Sequence, residues 1–335
     1  MRMRLLLFPL VLGSQLAAES HTVIAERYFN SFHHRHAVLK RVRPGDTVVT
    51  KTIDAAGYDQ KNAKVGERPN PLTGPFYIEG AEPGDAIEVL FRRIRMNRAT
   101  GWSGYRLLLQ SLTPDSIEGL YANRYRDDLV QPGRNNLVPW DLDLQRNTVR
   151  LREPASAKMK FEYPARPMLG CVGVAAPDDF GPPSSISGPY GGNIDYNEIV
   201  EGATVMLPVF HPGALLFIGD GHALQADGEP IGTGVETSMD VEFTVTLRKK
   251  AGLSNPRLEN GEYLISIGSQ PEFQTPLDRA LQIATTDMTR WLTKEYGLEP
   301  WAAHLLVGYQ GKYDVITVMG SVGLRIPKKM LPPVR

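Results

Sequence analysis

The stretch EPGDAIEVLFRRI (Glu82–Ile94) sets a tight turn directly ahead of an alternating strand. Pro83 fixes φ at the first turn position, Gly84 permits positive φ, and Asp85 leads into Ala86–Ile94, where apolar and polar side chains alternate. The same strand entry returns in RPGDTVV from Arg43 and in EGATVML from Glu201. Further short alternating runs occupy Val48–Ile53, Thr204–Phe210 and Asp240–Arg248. The chain carries 32 Gly and 26 Pro, and this punctuation bounds the runs in the manner of an all-β sandwich or barrel. The intervals between the entries are irregular, which excludes a solenoid repeat.

At 335 residues the chain has room for two modest domains or one large β-rich body. Its 42% hydrophobic content excludes disorder as the main reading. The division expected is a leader over residues 1–20, an N-terminal β-rich domain over 21–165 and a C-terminal β-rich domain over 166–335. About residues 100–150 read as an insertion with weak structure of its own, rich in Arg and Asp. One helix is expected near 275–297. Thr275 is its candidate N-cap and Pro276 its first position, Ala280, Leu281, Ala284, Met288, Trp291, Leu292 and Tyr296 follow helical spacing, and Gly297 ends it. A short helix follows near Trp301–Leu306, with Trp291 and Trp301 read as core, and VITVMGSVGLRIP as two strands around a Gly turn.

Arg2 and Arg4 precede the apolar run Leu5–Gly13, and Ala18-Glu19-Ser20 offers a small-x-small cleavage site. This pattern predicts a signal peptide cut near Ala18 to Ser20 and a secreted or periplasmic protein. The run is too short to span a bilayer, so no membrane attachment is expected once the leader is removed. Cys171 is the single cysteine, which excludes an intrachain disulfide, and its apolar neighbours read as a buried structural site. Lys plus Arg and Asp plus Glu both total 37, and no basic cluster interleaves with aromatics, so no nucleic-acid partner is expected.

Polar residues gather in three places: Asp54 in TIDAAGYD, Asn193 and Asp195 in GPYGGNIDYNE, and Asp220, His222, Asp227 and Glu229 in GDGHALQADGE (Gly219–Glu229), with Glu236 soon after. Asp220 and His222 are two apart and share a face on a strand. One His with several carboxylates suits a divalent cation: zinc, or the more oxygen-seeking calcium, magnesium and manganese. The spacing matches no standard short zinc motif. An acidic Gly-rich turn whose Asp residues cap the backbone fits the same string. HHRH (His33, His34, His36) reads either as a metal tract or as a surface trio. There is no G-x-S-x-G elbow, no Walker A and no dinucleotide fingerprint after a strand.

The strings TGPFYIEGAEPGD (Thr73–Asp85), Gly191–Glu229 and GTGVETSMDVEFTV resemble the acetamidase/formamidase family, and RPGDTVVTKTIDA fits its first strand entry. The resemblance runs from about residue 21 to 330, with a departure at about 102–149. It implies a mainly β fold, a β-sandwich with a β-barrel-like part and one or two helices in the C-terminal half. It implies hydrolysis of the C–N bond of a short linear amide to ammonia and a carboxylate, a divalent metal with zinc foremost, and a homo-oligomer. The residues inside matching strings are Asp54, Glu79, Asp195, Asp220, His222, Asp227, Glu229 and Glu236. On this reading His222, Asp220, Asp195 and Asp54 hold the metal that activates water, Glu229 moves the proton, and Glu79 and Glu236 are equally eligible for that role. The competing readings are a secreted, metal-stabilised β-sandwich binding module without catalysis, and a relative acting on a larger amide.

Overall fold

The structure is a computed structural model and describes residues 18–116, 137–153, 155–269 and 276–333. The fold is mainly β. Among the described residues a nine-stranded sheet runs in the order Ser20–Thr22, Thr47–Lys51, Met239–Arg248, Ala86–Met96, Thr204–Pro208, Arg257–Glu259, Tyr263–Gly268, Ser321–Pro327 and Lys312–Thr317. An eleven-stranded sheet lies against it, with Met168–Gly173 and Leu216–His222 near its middle. One apolar core joins the two. Val48, Phe91 and Phe243 of the first sheet and Phe76, Leu169, Phe217 and Ile218 of the second are all buried in the same cluster. Phe76 and Phe243 meet edge to face with ring centroids 5.3 Å apart.

The strand opened by EPGD is central to the first sheet, paired antiparallel to Thr204–Pro208 on one side and Met239–Arg248 on the other. Its alternation slips once. Glu242 pairs with Arg93 but Phe243 pairs with Phe91, so Arg92 is the extra residue of a bulge. The sequence shows the same slip as two adjacent Arg between buried Phe91 and Ile94. Both sheets draw strands from each side of residue 165, so neighbours in a sheet are often far apart in the chain.

The segment expected to be a weakly structured insertion is an ordered part of the second sheet where it is described. Thr100–Ser103 and Val138–Asp143 pair with each other, Val138–Asp143 also pairs with Thr148–Leu151, and Glu236–Thr237 pairs with Thr100–Ser103. Its Arg-rich composition concealed short strands whose apolar residues, Val138, Trp140, Leu142 and Val149, are buried.

The expected helix spans Leu277–Lys294 and packs on the outer face of the nine-stranded sheet through Ala284, Met288, Trp291 and Leu292. Pro276 precedes it as the capping residue, so the helix starts one residue later than expected, and Thr275 lies outside the described residues. Gly268 sets the approach: a Cβ there would stand 1.9 Å from the Ala280 carbonyl oxygen, so only glycine lets the helix lie this close. A second helix, Pro300–Gln310, follows. Trp301, read as core, is 65% exposed, because the buried contact of this helix is made by Ala303 instead. The last two strands fold back through Gly320 as expected. The leader lies outside the described residues except for Ala18–Ser20, and Ser20–Thr22 forms an edge strand parallel to Thr47–Lys51.

Candidate metal and active site

The strand Leu216–His222 carries Asp220 and His222, both buried. Sheet register supplies the next group. His222 pairs directly with Glu236, which pairs in turn with Trp102. Asp195 arrives from the loop after Gly191–Asn193, and Glu229 from the turn that closes the GDGHALQADGE string. Close approach requires glycine at position 170, where a Cβ would stand 2.3 Å from Asp195 Oδ1 and 2.7 Å from Asp220 Oδ2. The backbone is held in the left-handed region at Asp195 (φ 51°), Asp220 (φ 56°) and Glu229 (φ 42°). Such conformations persist in non-glycine residues only where surrounding contacts enforce them, and they concentrate at functional sites.

Two sets of side chains converge on His222: Asp195 with Glu229, and Asp220 with Glu236. In each set the donor atoms lie within 4.8 Å of one another. His222 Nε2 stands 2.9 Å from Glu236 Oε1 and 3.5 Å from Asp220 Oδ1. The ring is oriented from behind. Gln225 donates its amide N–H to the Asp195 carbonyl at 2.6 Å, so its Oε1 faces Nδ1 and accepts the ring N–H at 2.7 Å. The lone pair is thereby left on Nε2, the tautomer a metal ligand needs.

Two amides hold the carboxylates. Asn70 Nδ2 donates to Asp220 Oδ2 at 3.0 Å and to Asn193 Oδ1 at 2.6 Å, and the Asn193 amide donates to Asp195 Oδ2. Three carboxylate oxygens and one ring nitrogen remain: Asp195 Oδ1, Asp220 Oδ1, Glu236 Oε2 and His222 Nε2 are buried without a hydrogen-bond partner. Burying several carboxylates together without a counter-charge is strongly unfavourable. Their pKa values register it. Burial, and then the Asp220 charge, push Asp195 well above the usual carboxylate range. Burial, and then Asp195, do the same to Glu229. Burial raises Glu236 to about 7 against the opposing pull of His222. Burial acts to lower His222, but the Glu236 and Asp220 carboxylates outweigh it and hold the ring well above its ordinary value. An inward-facing set of one imidazole nitrogen and three carboxylate oxygens fits a divalent cation of the zinc type.

The remaining sequence candidates lie elsewhere. Asp54 is fully buried but has no free oxygen: it accepts from the Ala56 and Tyr58 backbone at 3.0 and 2.9 Å, from Arg98 at 2.6 Å and from Trp102 Nε1 at 3.1 Å. It is therefore a structural anchor for Arg98 and Trp102 and not a member of the His222 set. The Glu79 side chain is 45% exposed and faces Arg41 at 3.6 Å, outside both sets. Asp227 is exposed and accepts from Asn197 at 2.7 Å. The thiol of Cys171 is buried as expected, 2.9 Å from Asn193 Oδ1, with its pKa pushed up by burial and by Asp220. His33 and His34 gather around Asp179 at 3.7 Å, but His33 Nδ1 accepts the Arg35 N–H at 3.0 Å, which leaves the proton on the nitrogen that faces Asp179. Sequence reasoning missed Asn70 and Gln225. The Pro69-Asn70-Pro71 string, a rigid turn around one amide, was the available signal for the first.

Glu229 differs from the other carboxylates in what it reaches. It lines a cavity of about 450 Å³ shared with Asn70, Asp195, Asp220 and Glu236, a second of about 280 Å³ with Asn193 and Ser321, and a third of about 730 Å³ walled by Trp140 and Phe161.

Residues 186–307 match the model of the acetamidase/formamidase family, a span that takes in Asp195, Asp220, His222, Glu229 and Glu236. The fold resembles the acetamidase of Yersinia enterocolitica, with 28% identity, 96% of each chain covered and a TM-score of 0.78. It also resembles the acetamidase of Bacillus halodurans, at 25% identity over 92% of this chain and 98% of that one, with a TM-score of 0.73. A Schizosaccharomyces pombe protein named "Putative formamidase C869.04" is 25% identical, covering 70% of this chain and 67% of its own. Over residues 186–307 the chain matches the acetamidase/formamidase family, and over nearly its whole length it has the fold of the acetamidases it resembles.

Proposed function

We propose that the protein hydrolyses a short linear amide to ammonia and a carboxylate at the His222 cluster, with the help of a divalent cation, zinc foremost. That it is an amide hydrolase acting on C–N bonds is supported by the acetamidase/formamidase match over residues 186–307 and by the acetamidases it resembles. The observation that carries the finer reading is that four buried donor atoms on the two sets that meet at His222 have no hydrogen-bond partner: His222 Nε2, Asp195 Oδ1, Asp220 Oδ1 and Glu236 Oε2. These residues would hold the cation. When bound, such an ion supplies a Lewis acid and lowers the pKa of water toward neutrality.

The chain's own residues perform the rest. Glu229 borders the cavities where water and substrate enter, so its carboxylate takes the proton of the attacking water and returns it to the leaving nitrogen. The second transfer is essential, because an amide anion is a poor leaving group. Asn70 and Asn193 fix the Asp220 and Asp195 carboxylates, and Gln225 fixes the imidazole. With Asp54 excluded by its saturated oxygens and Glu79 by its position, Glu229 is the residue this reading assigns to proton transfer, and Glu236 becomes a holder of the ion.

Two further parts of this proposal rest on other features. The leader pattern supports export to a periplasmic or extracellular space. A homo-oligomer would cover the exposed side chains Trp301, Leu305 and Tyr309, spaced by four along one helix. The test of the central reading is ammonia release from formamide, acetamide and propionamide by the purified protein, with chelator and with added Zn²⁺. Metal-dependent ammonia is the expected result. Turnover that survives complete chelation would remove the cation from the mechanism.

A further inference from the structure

A second cavity, of about 500 Å³, adjoins the reaction centre, and the two share Arg68, Trp102 and Leu137 as their common wall. Its charge is opposite to that of the centre. Asp195, Asp220, Glu229 and Glu236 line the first cavity, whereas Lys64, Arg68, Arg98 and Arg152 line the second, with Asp54 as its only carboxylate among the described residues. The four cations are not equivalent. Arg98 is consumed, with its guanidinium on Asp54 Oδ2 at 2.6 Å, the Thr100 carbonyl at 3.0 Å and the Asp59 carbonyl at 3.1 Å. Arg152 pairs with Asp141 at 2.8 Å, though it shares that carboxylate with Arg150. Lys64 donates to the Ala56 carbonyl at 2.9 Å and has Glu67 at 3.6 Å. Among the described residues, Arg68 has no carboxylate within salt-bridge range and no hydrogen-bond acceptor, and its guanidinium stands over the Trp102 ring at 5.6 Å.

We infer that Arg68, backed by Trp102, receives a carboxylate carried by the substrate, so that the preferred substrate is an anionic monoamide of a dicarboxylic acid. This rests on the amidase reading above and names the substrate class of that same site. The exposed guanidinium of Arg68, 5.6 Å over the Trp102 ring, offers a carboxylate two parallel N–H donors. At the reaction centre a substrate's own carboxylate would face Asp195, Asp220, Glu229 and Glu236 and would displace the amide that has to react there. A substrate with an amide at one end and a carboxylate at the other lies across the shared wall with each end in the cavity of matching chemistry. Acetamide would occupy the centre alone and leave the 500 Å³ cavity to water.

The experiment compares kcat/KM for acetamide and butyramide with that for the monoamides of malonate, succinate and glutarate, on the metal-loaded protein and on R68Q and R68K. Arg68 also borders the reaction-centre cavity, so R68Q is read as the ratio of its effect on the anionic monoamides to its effect on butyramide. The wild type is expected to favour one of the anionic monoamides over butyramide by about tenfold or more, the scale of a hydrogen-bonded ion pair. R68Q should abolish that preference through KM and not kcat, and R68K should retain part of it. Calorimetric titration with the same monoamides reads the subsite without turnover. Arg68-dependent binding with no ammonia release would defeat the amidase reading and keep the subsite. Equal kcat/KM for neutral and anionic amides, or an R68Q loss of the same size on butyramide, would overturn the subsite and keep the amidase. Neither binding nor turnover would defeat both.

Discussion

Gln225 Oε1 accepts the Nδ1–H of His222 at 2.7 Å, and this one contact decides which ring nitrogen faces the carboxylates. The Gln225 amide cannot be reversed without placing its NH₂ against a ring N–H and losing the bond to the Asp195 carbonyl. Partners that hold a ligating imidazole through its other ring nitrogen are worth about 10–100-fold in metal affinity. Gln225→Ala is therefore expected to weaken Zn²⁺ binding by about that factor in a chelator-competition titration, with the fold retained. Gln225→Glu keeps the acceptor and should recover much of the affinity. Equal affinity in all three proteins would show that the His222 tautomer does not matter for ion binding.

Glu229 separates proton transfer from ion holding. Glu229→Gln preserves shape and the cavity walls but removes the base. It is expected to keep stoichiometric metal while kcat falls by about two to four orders of magnitude. His222→Ala should lose metal and turnover together. Metal analysis by mass spectrometry alongside ammonia release reads both. A fully active Glu229→Gln protein would return the proton-transfer role to another carboxylate.

The parts of the site legible in the sequence were those that the chain itself brings together. Asp220, His222 and Glu229 sit in one eleven-residue string, and the strand spacing of Asp220 and His222 places both on one side. The pairing of Glu236 with His222 is a matter of sheet register. Asn70 reaches Asp220 across 150 positions, which no local pattern encodes. Asp54 was misread for the same reason. A strand-end Asp looks like a ligand until Arg98 and Trp102, 44 and 48 positions later, are seen to fill its oxygens. The β class was legible from alternation, and the slip at Arg92 was present in the letters. The order of strands in two interleaved sheets was not, because each sheet draws on both halves of the chain.

The helix Pro300–Gln310 shows solvent Trp301 at 65%, Leu305 at 50% and Tyr309 at 79% exposure. Three large apolar side chains four apart form one stripe that the described residues leave uncovered. Trp301→Glu with Tyr309→Glu is expected to lower the molar mass measured by light scattering toward that of one chain, 37.1 kDa less any leader removed, with the circular dichroism spectrum unchanged. An assembled wild type whose mass the double variant does not alter would place the contact on another face.

Acid stability should be set in part by Asp46. Its side chain is 3% exposed, and burial alone would raise its pKa. The raising effect is outweighed: the Glu19 N–H donates at 2.9 Å, Arg43 donates from both backbone and guanidinium, and His21 lies at 3.0 Å, so the folded pKa falls well below the usual carboxylate range. A carboxylate with a depressed folded pKa binds fewer protons than its unfolded counterpart below about pH 4. Its contribution is therefore complete at neutral pH and is lost progressively as pH falls from about 4 toward the folded value. Asp46→Asn cannot lose a charge it lacks. It should be less stable than wild type at pH 7 by about 2 kcal/mol, the scale of hydrogen bonds to a charged group. The gap should narrow as both proteins are unfolded in urea at successively lower pH from about 4 downward. A gap that stays constant down to about pH 2 would show that Asp46 acts through shape and neutral hydrogen bonding alone. Because Asp46 accepts the Glu19 N–H just ahead of the first edge strand, the same variant made in a chain that retains Glu19 should also expose the Ser20–Thr22 amides to faster hydrogen exchange at pH 7.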